Sequence, residues 1–477
     1  MTKAPPDASR VYWIPATVLM VLALLWPALW NGFPLVFYDT GGYLVRAFDS
    51  TLGLGRSTVY GMFLALGIPF HFWTNVAAQA ALVVWLIVLT LRIEDFGGRP
   101  ALAMAVVMGL AFFTGIPWYA GQLMPDIFVV AAVLALYLLA FGDRREQAAM
   151  DSGAVVLQSR ERALLVAVVA FAVASHMATL ALAVGLLVTL FVLRRLATPL
   201  KMSRPAILLP TVSVAVGTVL LLASNFAISG RFAITPGGEN FIFAHLLDDG
   251  IVARYLDDKC PDPSLRLCAF RDRLPPSGND WMWVSDSPLH TEFGGGEGFA
   301  PEATRVIGEI LRRYPGLVLK SALQDMLYQF VLNRSWDGPS EAPHTAWAIQ
   351  TYAPDSLASF RASRQQHDRL QADELTAHHT PIAFAALFAL PLIVAFGFYG
   401  LVRRSTAAFA LFALLALLGN AAICGALSIP SPRYQSRLAP LALFAVTLAA
   451  LGRCLTRRTN AAPFIENIGD LSGRRCR

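Results

Sequence analysis

The chain has 477 residues, of which 56% are hydrophobic and 15% charged, and its mean hydropathy is +0.54. That composition excludes a soluble globular protein and leaves a multi-pass membrane protein. The net charge of +6 is no argument for nucleic acid, because in a membrane protein a basic excess sits in cytoplasmic loops and sets orientation.

Only Lys3, Lys201, Lys259 and Lys320 are lysines, and the resulting bias towards Arg and Ala fits a GC-rich bacterial genome. The first apolar run, 11–33, is long enough to span the hydrocarbon core and lacks a small-residue cleavage site, so it reads as a retained helix. Segment 34–57, "PLVFYDTGGYLVRAF" and onward, leaves that run with Asp39 beside two glycines. The stretch 58–71 is too short to span and reads as an interfacial or broken start to the next helix. Further spans are expected over 72–92, 100–118, 126–142, 163–193, 206–228, 382–402, 405–425 and 438–452.

The run 163–193 has Arg160 and Arg162 before it and Arg194 and Arg195 after it. Two short crossings meeting near "ASHMAT" (174–179) place both Arg clusters on one side. With the N-terminus cytoplasmic this makes ten crossings, and every strong Arg cluster beside a helix falls inside. The expected fold is an all-α polytopic membrane protein of about ten transmembrane helices with a large exterior segment containing amphipathic helices. Its parts are an N-terminal transmembrane module (1–228, with the first exterior loop 34–57), an exterior segment (229–381), C-terminal helices (382–452) and a polar cytoplasmic tail (453–477). The expected location is the bacterial inner membrane.

Within the exterior segment, 235–240 and 293–302 read as turns, 240–256 as an amphipathic helix and 302–332 as one or two more. Cys260 and Cys268 fall where a disulfide persists, whereas Cys454 and Cys476 fall in the cytoplasm and Cys424 in a helix. The topology and the redox argument agree on Cys260–Cys268, although spacing alone leaves a free pair open.

This topology gathers distant polar residues on the outer face: Asp39, Asp126, His176, Arg433 and Arg437. Ionisable residues at helix ends in a bundle are costly unless paired, hydrated or used, so a site is the default reading. An acid in the first exterior loop, a second before helix four and an Arg-Tyr pair before a late helix resemble the C-type integral-membrane glycosyltransferases. Protein mannosyltransferases and lipid A aminoarabinose transferases belong to that group. The resemblance covers mainly residues 11–193 and 428–452. It implies that Asp39 in "FYDTGGY" is the general base or an acceptor-orienting carboxylate, that Asp126 in "LMPDIF" is the second catalytic acid, and that Arg433 in "SPRYQSR" contacts a donor phosphate. Tyr43, Arg56, His176, Tyr434 and Arg437 join Arg433 as candidate substrate-binding residues.

An Asp-x-Asp or Glu-x-Asp pair is missing, so no metal ligands are assigned and a divalent metal is left open as a cofactor. The stretch 245–275 with "WMWVSD" (281–286) is also similar to a group of bacterial multi-pass proteins, a likeness that implies membership and no activity.

The chemistry expected is transfer of a sugar from a polyprenyl-phosphate donor to an envelope acceptor. A base takes the acceptor proton and an Arg fork steadies the phosphate leaving group. The partners are membrane lipids and the lipid-linked donor, without nucleic acid. A transporter or flippase of a lipid-linked intermediate and a non-catalytic envelope assembly factor are the alternatives. Structural roles stand beside each candidate: Asp39 as a helix N-cap, Asp126 as a dipole partner, His176 as a satisfied turn residue, and Arg433 and Arg437 as headgroup anchors. The glycines of "DTGGY" are expected to let backbone approach a ligand, and Tyr43 and Phe48 to anchor at the membrane interface.

Overall fold

The computed structural model describes residues 6–49, 53–142, 156–199, 203–230 and 232–453, with side chains described from residue 12. Arg144, Arg145 and Lys201 of the expected cytoplasmic loops, the tail beyond 453, Cys454 and Cys476 lie outside these residues. The described elements are helices; Leu35 and Gln122 form an isolated parallel bridge.

Seven helices are long and apolar enough to cross a membrane: Tyr12–Asn31, Trp73–Ile93, Met177–Leu196, Leu208–Ser229, Ala372–Phe398, Arg404–Leu427 and Pro432–Arg453. This is a multi-pass, all-α membrane protein. Three further expected spans are helices of 14, 16 and 17 residues, Pro100–Phe113, Asp126–Phe141 and Ser159–Ser175. They fall short of the roughly 20 residues needed to cross alone, so length does not carry the count of ten.

Helix Asp126–Phe141 is buried at every position. An apolar surface all round suits a helix at the centre of a bundle, and Trp73–Ile93, Ser159–Ser175 and Arg404–Leu427 pack about it. The expected break in 163–193 falls at His176, where the backbone is extended (φ −149°, ψ 116°). Stretch 58–71 forms helix Thr58–Ala65 and one 3-10 turn before the helix at Trp73.

The connections gather at two ends. At one, the Leu35 amide donates to Gly121 O (2.9 Å), Ser57 Oγ donates to Ala174 O (2.6 Å), and Gln329 pairs with the backbone of Ser431. At the other, Arg92 pairs with Glu161 (2.5 Å), Arg403 donates to Glu94 O (2.6 Å) and the Ala206 amide to Ala140 O (2.8 Å). Glu94 is buried there and accepts from Tyr137 (2.8 Å) and Ser405 (2.7 Å).

Residues 241–318 form a second core around Phe243, Trp281, Phe293 and Phe299. The expected helix 240–256 is two, Gly238–Asp248 and Ile251–Lys259, because Gly250 takes the left-handed conformation (φ 70°) between them. The expected turn at 293–302 is mostly helix: Gly295–Arg313 starts inside the glycine run and stops before Pro315, which opens Pro315–Val331. The exterior segment, expected to end at 381, gives way to helix at Ala372, where Asp373 and Glu374 occupy the first turn.

Cys260 and Cys268 are disulfide-bonded, with Cα atoms 5.6 Å apart, and pack against this second core. In denatured, unreduced protein both should resist alkylation and react only after reduction. The paired Cys260→Ser, Cys268→Ser variant should lose about 2–3 kcal/mol, from the entropy of so short a loop, read as a lower Tm. Alkylation of both without reduction would contradict the bond.

Candidate functional site

Asp39 stands at the N-cap position of the short helix Thr40–Val45, but its side chain caps nothing. The carboxylate is held between two guanidiniums: Oδ1 takes Arg56 Nη2 and Oδ2 takes Arg433 Nη2 at 3.2 Å. The capping reading of Asp39 is therefore replaced by charge pairing. Burial alone raises the Asp39 pKa, but Arg56 and Arg433 outweigh it and hold the carboxyl below its ordinary range.

Each arginine is held in turn. Arg56 donates to Leu54 O (2.6 Å) and lies 5.1 Å from the Trp283 ring centroid. Arg433 sits over Phe37 (4.3 Å) and Tyr434 (5.1 Å). Its backbone amide donates to Asp337 Oδ2 (3.1 Å), while its Nη1 is buried without a hydrogen-bond partner. Burial raises the Asp337 carboxyl, against the pull of Arg433.

A second pair lies deeper. Arg437 Nη1 meets Asp126 Oδ1 at 2.9 Å, and both side chains are 1% exposed. Arg437 Nη2 also donates to Asn420 Oδ1 (3.1 Å), and Asn420 Nδ2 donates to Tyr434 O (2.7 Å). Asp126 Oδ2 and Arg437 Nε have no hydrogen-bond partner. Arg433 and Arg437 are thus neither headgroup anchors nor exposed; both face inward.

His176 feels the charges of Arg437, Asp126, Arg433 and Asp39, and its Nδ1 lies 3.3 Å from Thr179 Oγ1. Tyr43 is buried against Tyr60 (5.1 Å between centroids), inside the bundle and not at the membrane interface; burial pushes its hydroxyl pKa up. Phe48 is half-exposed and stacks on Tyr352. The structure therefore brings Asp39, Tyr43, Arg56, Asp126, His176, Arg433, Tyr434 and Arg437 to one end of the bundle.

The glycines have a different task from the expected one. A Cβ on Gly41 would sit 2.8 Å from His344 and Thr345, and one on Gly42 2.7 Å from the Arg56 side chain. They admit protein, and Gly42 in particular clears the path by which Arg56 reaches Asp39. Asp337, Trp283 and Asn420 also belong to the cluster, beyond the residues expected from sequence. Asn420 alone carried a signal, a lone amide in the apolar run "LLALLGNAAICGAL".

Asp39 and Asp126 each carry a guanidinium, so this donor set does not fit a divalent cation. A cavity of about 300 Å³, lined by Trp13, Arg92, Phe96 and Arg99 among others, lies at the opposite end and touches none of these residues. Comparison with known proteins adds nothing: no protein-family model, curated protein or solved structure matches the chain.

Asp126→Ala strands the buried Arg437 and should cost about 3–5 kcal/mol, measured as a lower Tm in detergent. Asp126→Leu combined with Arg437→Met removes both charges and should recover most of that loss. A double variant as unstable as the single would show that packing, not charge pairing, is at stake.

Proposed function

We propose that the chain is a glycosyltransferase-like enzyme of the bacterial inner membrane. It would move a sugar from a polyprenyl-phosphate donor to a hydroxyl of an envelope acceptor on the outer face. The observation that carries this reading is Asp39 held between Arg56 and Arg433, with Arg433 Nη1 left without a partner. A lone buried donor on a guanidinium suits one more anionic oxygen, and phosphate matches the fork of that group.

In this reading the donor phosphate competes for both arginines and loosens their hold on Asp39. Sharing their charge with phosphate raises the basicity of the carboxylate, which is low in the free protein. Asp39 then takes the acceptor O–H proton as the acceptor oxygen bonds to the anomeric carbon. The bond from that carbon to the phosphate oxygen breaks, and polyprenyl phosphate leaves with the electron pair while Arg433 and Arg56 stabilise it. Asp126 and Arg437, closed off from solvent, position the segment that carries Arg433.

The proposal includes ten crossings with the N-terminus cytoplasmic. Its support is the sorting of loops: 34–49, 53–57, 114–126, 176 and 428–437 meet at the site end. Arg92, Arg160, Arg162, Arg194 and Arg403 belong to the connections at the other. Reporters fused near residues 150, 200 and 404 should stay cytoplasmic and one near 280 should be external; a cytoplasmic reporter at 280 would overturn the map.

Asp39→Asn should reduce transfer from a lipid-linked donor by about 100-fold or more while membrane insertion is retained. The acid limb of kcat/KM should fall below the usual carboxylate range, because Arg56 and Arg433 keep Asp39 ionised in the free enzyme until pH drops under its lowered pKa. Near-normal transfer by Asp39→Asn would sink the base role. Rescue of a deletion phenotype by that variant, with no transfer detected in the wild type, would favour the assembly-factor reading.

A further inference from the structure

We infer that His245, Asp249 and Asp325 form a binding site for one divalent transition-metal ion of the Zn²⁺ class, joining the second core to the membrane bundle. His245 closes the last turn of helix Gly238–Asp248 and Asp249 follows it, so the i, i+4 spacing puts both on one face. Asp325 comes from the neighbouring helix Pro315–Val331. His245 Nε2 lies 3.5 Å from Asp249 Oδ2 and 3.9 Å from Asp325 Oδ2, and the ligand atoms of all three lie within 4.8 Å of one another.

Tetrahedral ligands at zinc distances stand roughly 3.4 Å apart, so His245 and Asp249 are already at that spacing, His245 and Asp325 close by about 0.5 Å, and no pair has to close by more than about 1.4 Å. One imidazole nitrogen with two carboxylate oxygens is mixed ligation, which suits Zn²⁺ and, less tightly, Mn²⁺ better than Mg²⁺ or Ca²⁺. Three protein ligands leave a fourth position for water.

The surroundings point the same way. The His245 side chain is 4% exposed and aims Nε2 at both acids, and Asp249 Oδ2 is buried without a hydrogen-bond partner. Among the described residues neither acid is ion-paired to an arginine or lysine, unlike Asp39 and Asp126. Two carboxylates facing each other beside an imidazole need a cation or a shared proton.

The location gives the ion a mechanical role. A Cβ on Gly425 would meet the Asp325 backbone at 2.7 Å, so helix Arg404–Leu427 packs directly on the Asp325 turn. One turn further on, Gln329 donates to Ser431 O (2.9 Å) and accepts from the Ser431 amide (2.8 Å), two residues before Arg433. An ion bound to His245, Asp249 and Asp325 would fix the helix that holds this segment.

The test uses the full chain purified in detergent, stripped with chelator, dialysed and titrated with ZnCl₂. Bound metal is read by elemental analysis, and Mn²⁺ binding by electron paramagnetic resonance. One equivalent of Zn²⁺ should bind and raise the Tm. Asp249→Asn, Asp325→Asn and His245→Ala should each weaken binding roughly tenfold or more. Asp249→Asn keeps shape and its monodispersity by gel filtration checks folding; a folded variant that has lost the Zn²⁺-dependent rise in Tm supports the site. No stoichiometric Zn²⁺ in the wild type, or equal affinity in folded variants, would overturn it. Neither readout depends on transferase activity, so this inference and the proposed function fail separately.

Discussion

Arg433 and Arg437 stand one helical turn apart, and each takes an acid from the first third of the chain, Asp39 and Asp126. Their partners are 394 and 311 residues away in sequence. An unpaired charge is costly in an apolar bundle, so these contacts demand that the last span return beside the loop after the first and the start of helix Asp126–Phe141. The pairs need not add net stability over a hydrophobic substitute. Their effect is to make any other register of the last span leave buried charges uncompensated, which is a constraint on arrangement more than a source of stability.

Irregular backbone at that end is kept in place by buried amide side chains. Gln365 Nε2 donates to Val36 O (2.8 Å) and Pro339 O (2.9 Å), and its Oε1 accepts from the Val36 amide (3.0 Å). Gln329 does the same for Ser431. Non-helical backbone at membrane depth survives only where such groups are satisfied inside protein. Val36 and Ser431 flank Asp39 and Arg433 in sequence, so the two glutamines locate the segments whose charges then meet. Gly41, packed on His344 and Thr345, completes the seating of the Asp39 loop.

Hydropathy made the helices legible, because a span needs a long apolar run whatever its neighbours are. The Arg distribution likewise pointed to the break at His176, and the gathering of Asp39, Asp126, His176, Arg433 and Arg437 at one end of the bundle followed from the expected topology. What could not be read depends on pairing between elements. Asp39 looks like a cap in sequence because capping is local, whereas Arg56 and Arg433 are brought to it by tertiary structure. Asp337 sits in a polar loop where an acid is unremarked, and His245, Asp249 and Asp325 come from two helices with no motif spacing between them. The splitting of 240–256 at Gly250 was masked because the apolar pattern continues in register across the glycine.

The charge balance of the cluster says how it would meet a phosphodiester. Three acids, Asp39, Asp126 and Asp337, face three arginines, Arg56, Arg433 and Arg437, and the group is close to neutral when all are ionised. An anionic donor adds a negative charge in surroundings that screen it poorly, which favours uptake of one proton by the cluster. Asp126 is locked on Arg437, and Asp39 is held low by two guanidiniums until the donor draws on them. Asp337, already raised by burial and bonded to Arg433 only through the backbone amide, is the acid best placed to take that proton. In the proposed reaction this leaves Asp39 ionised to receive the acceptor proton, so the two carboxylates around Arg433 divide the work by how firmly each is held.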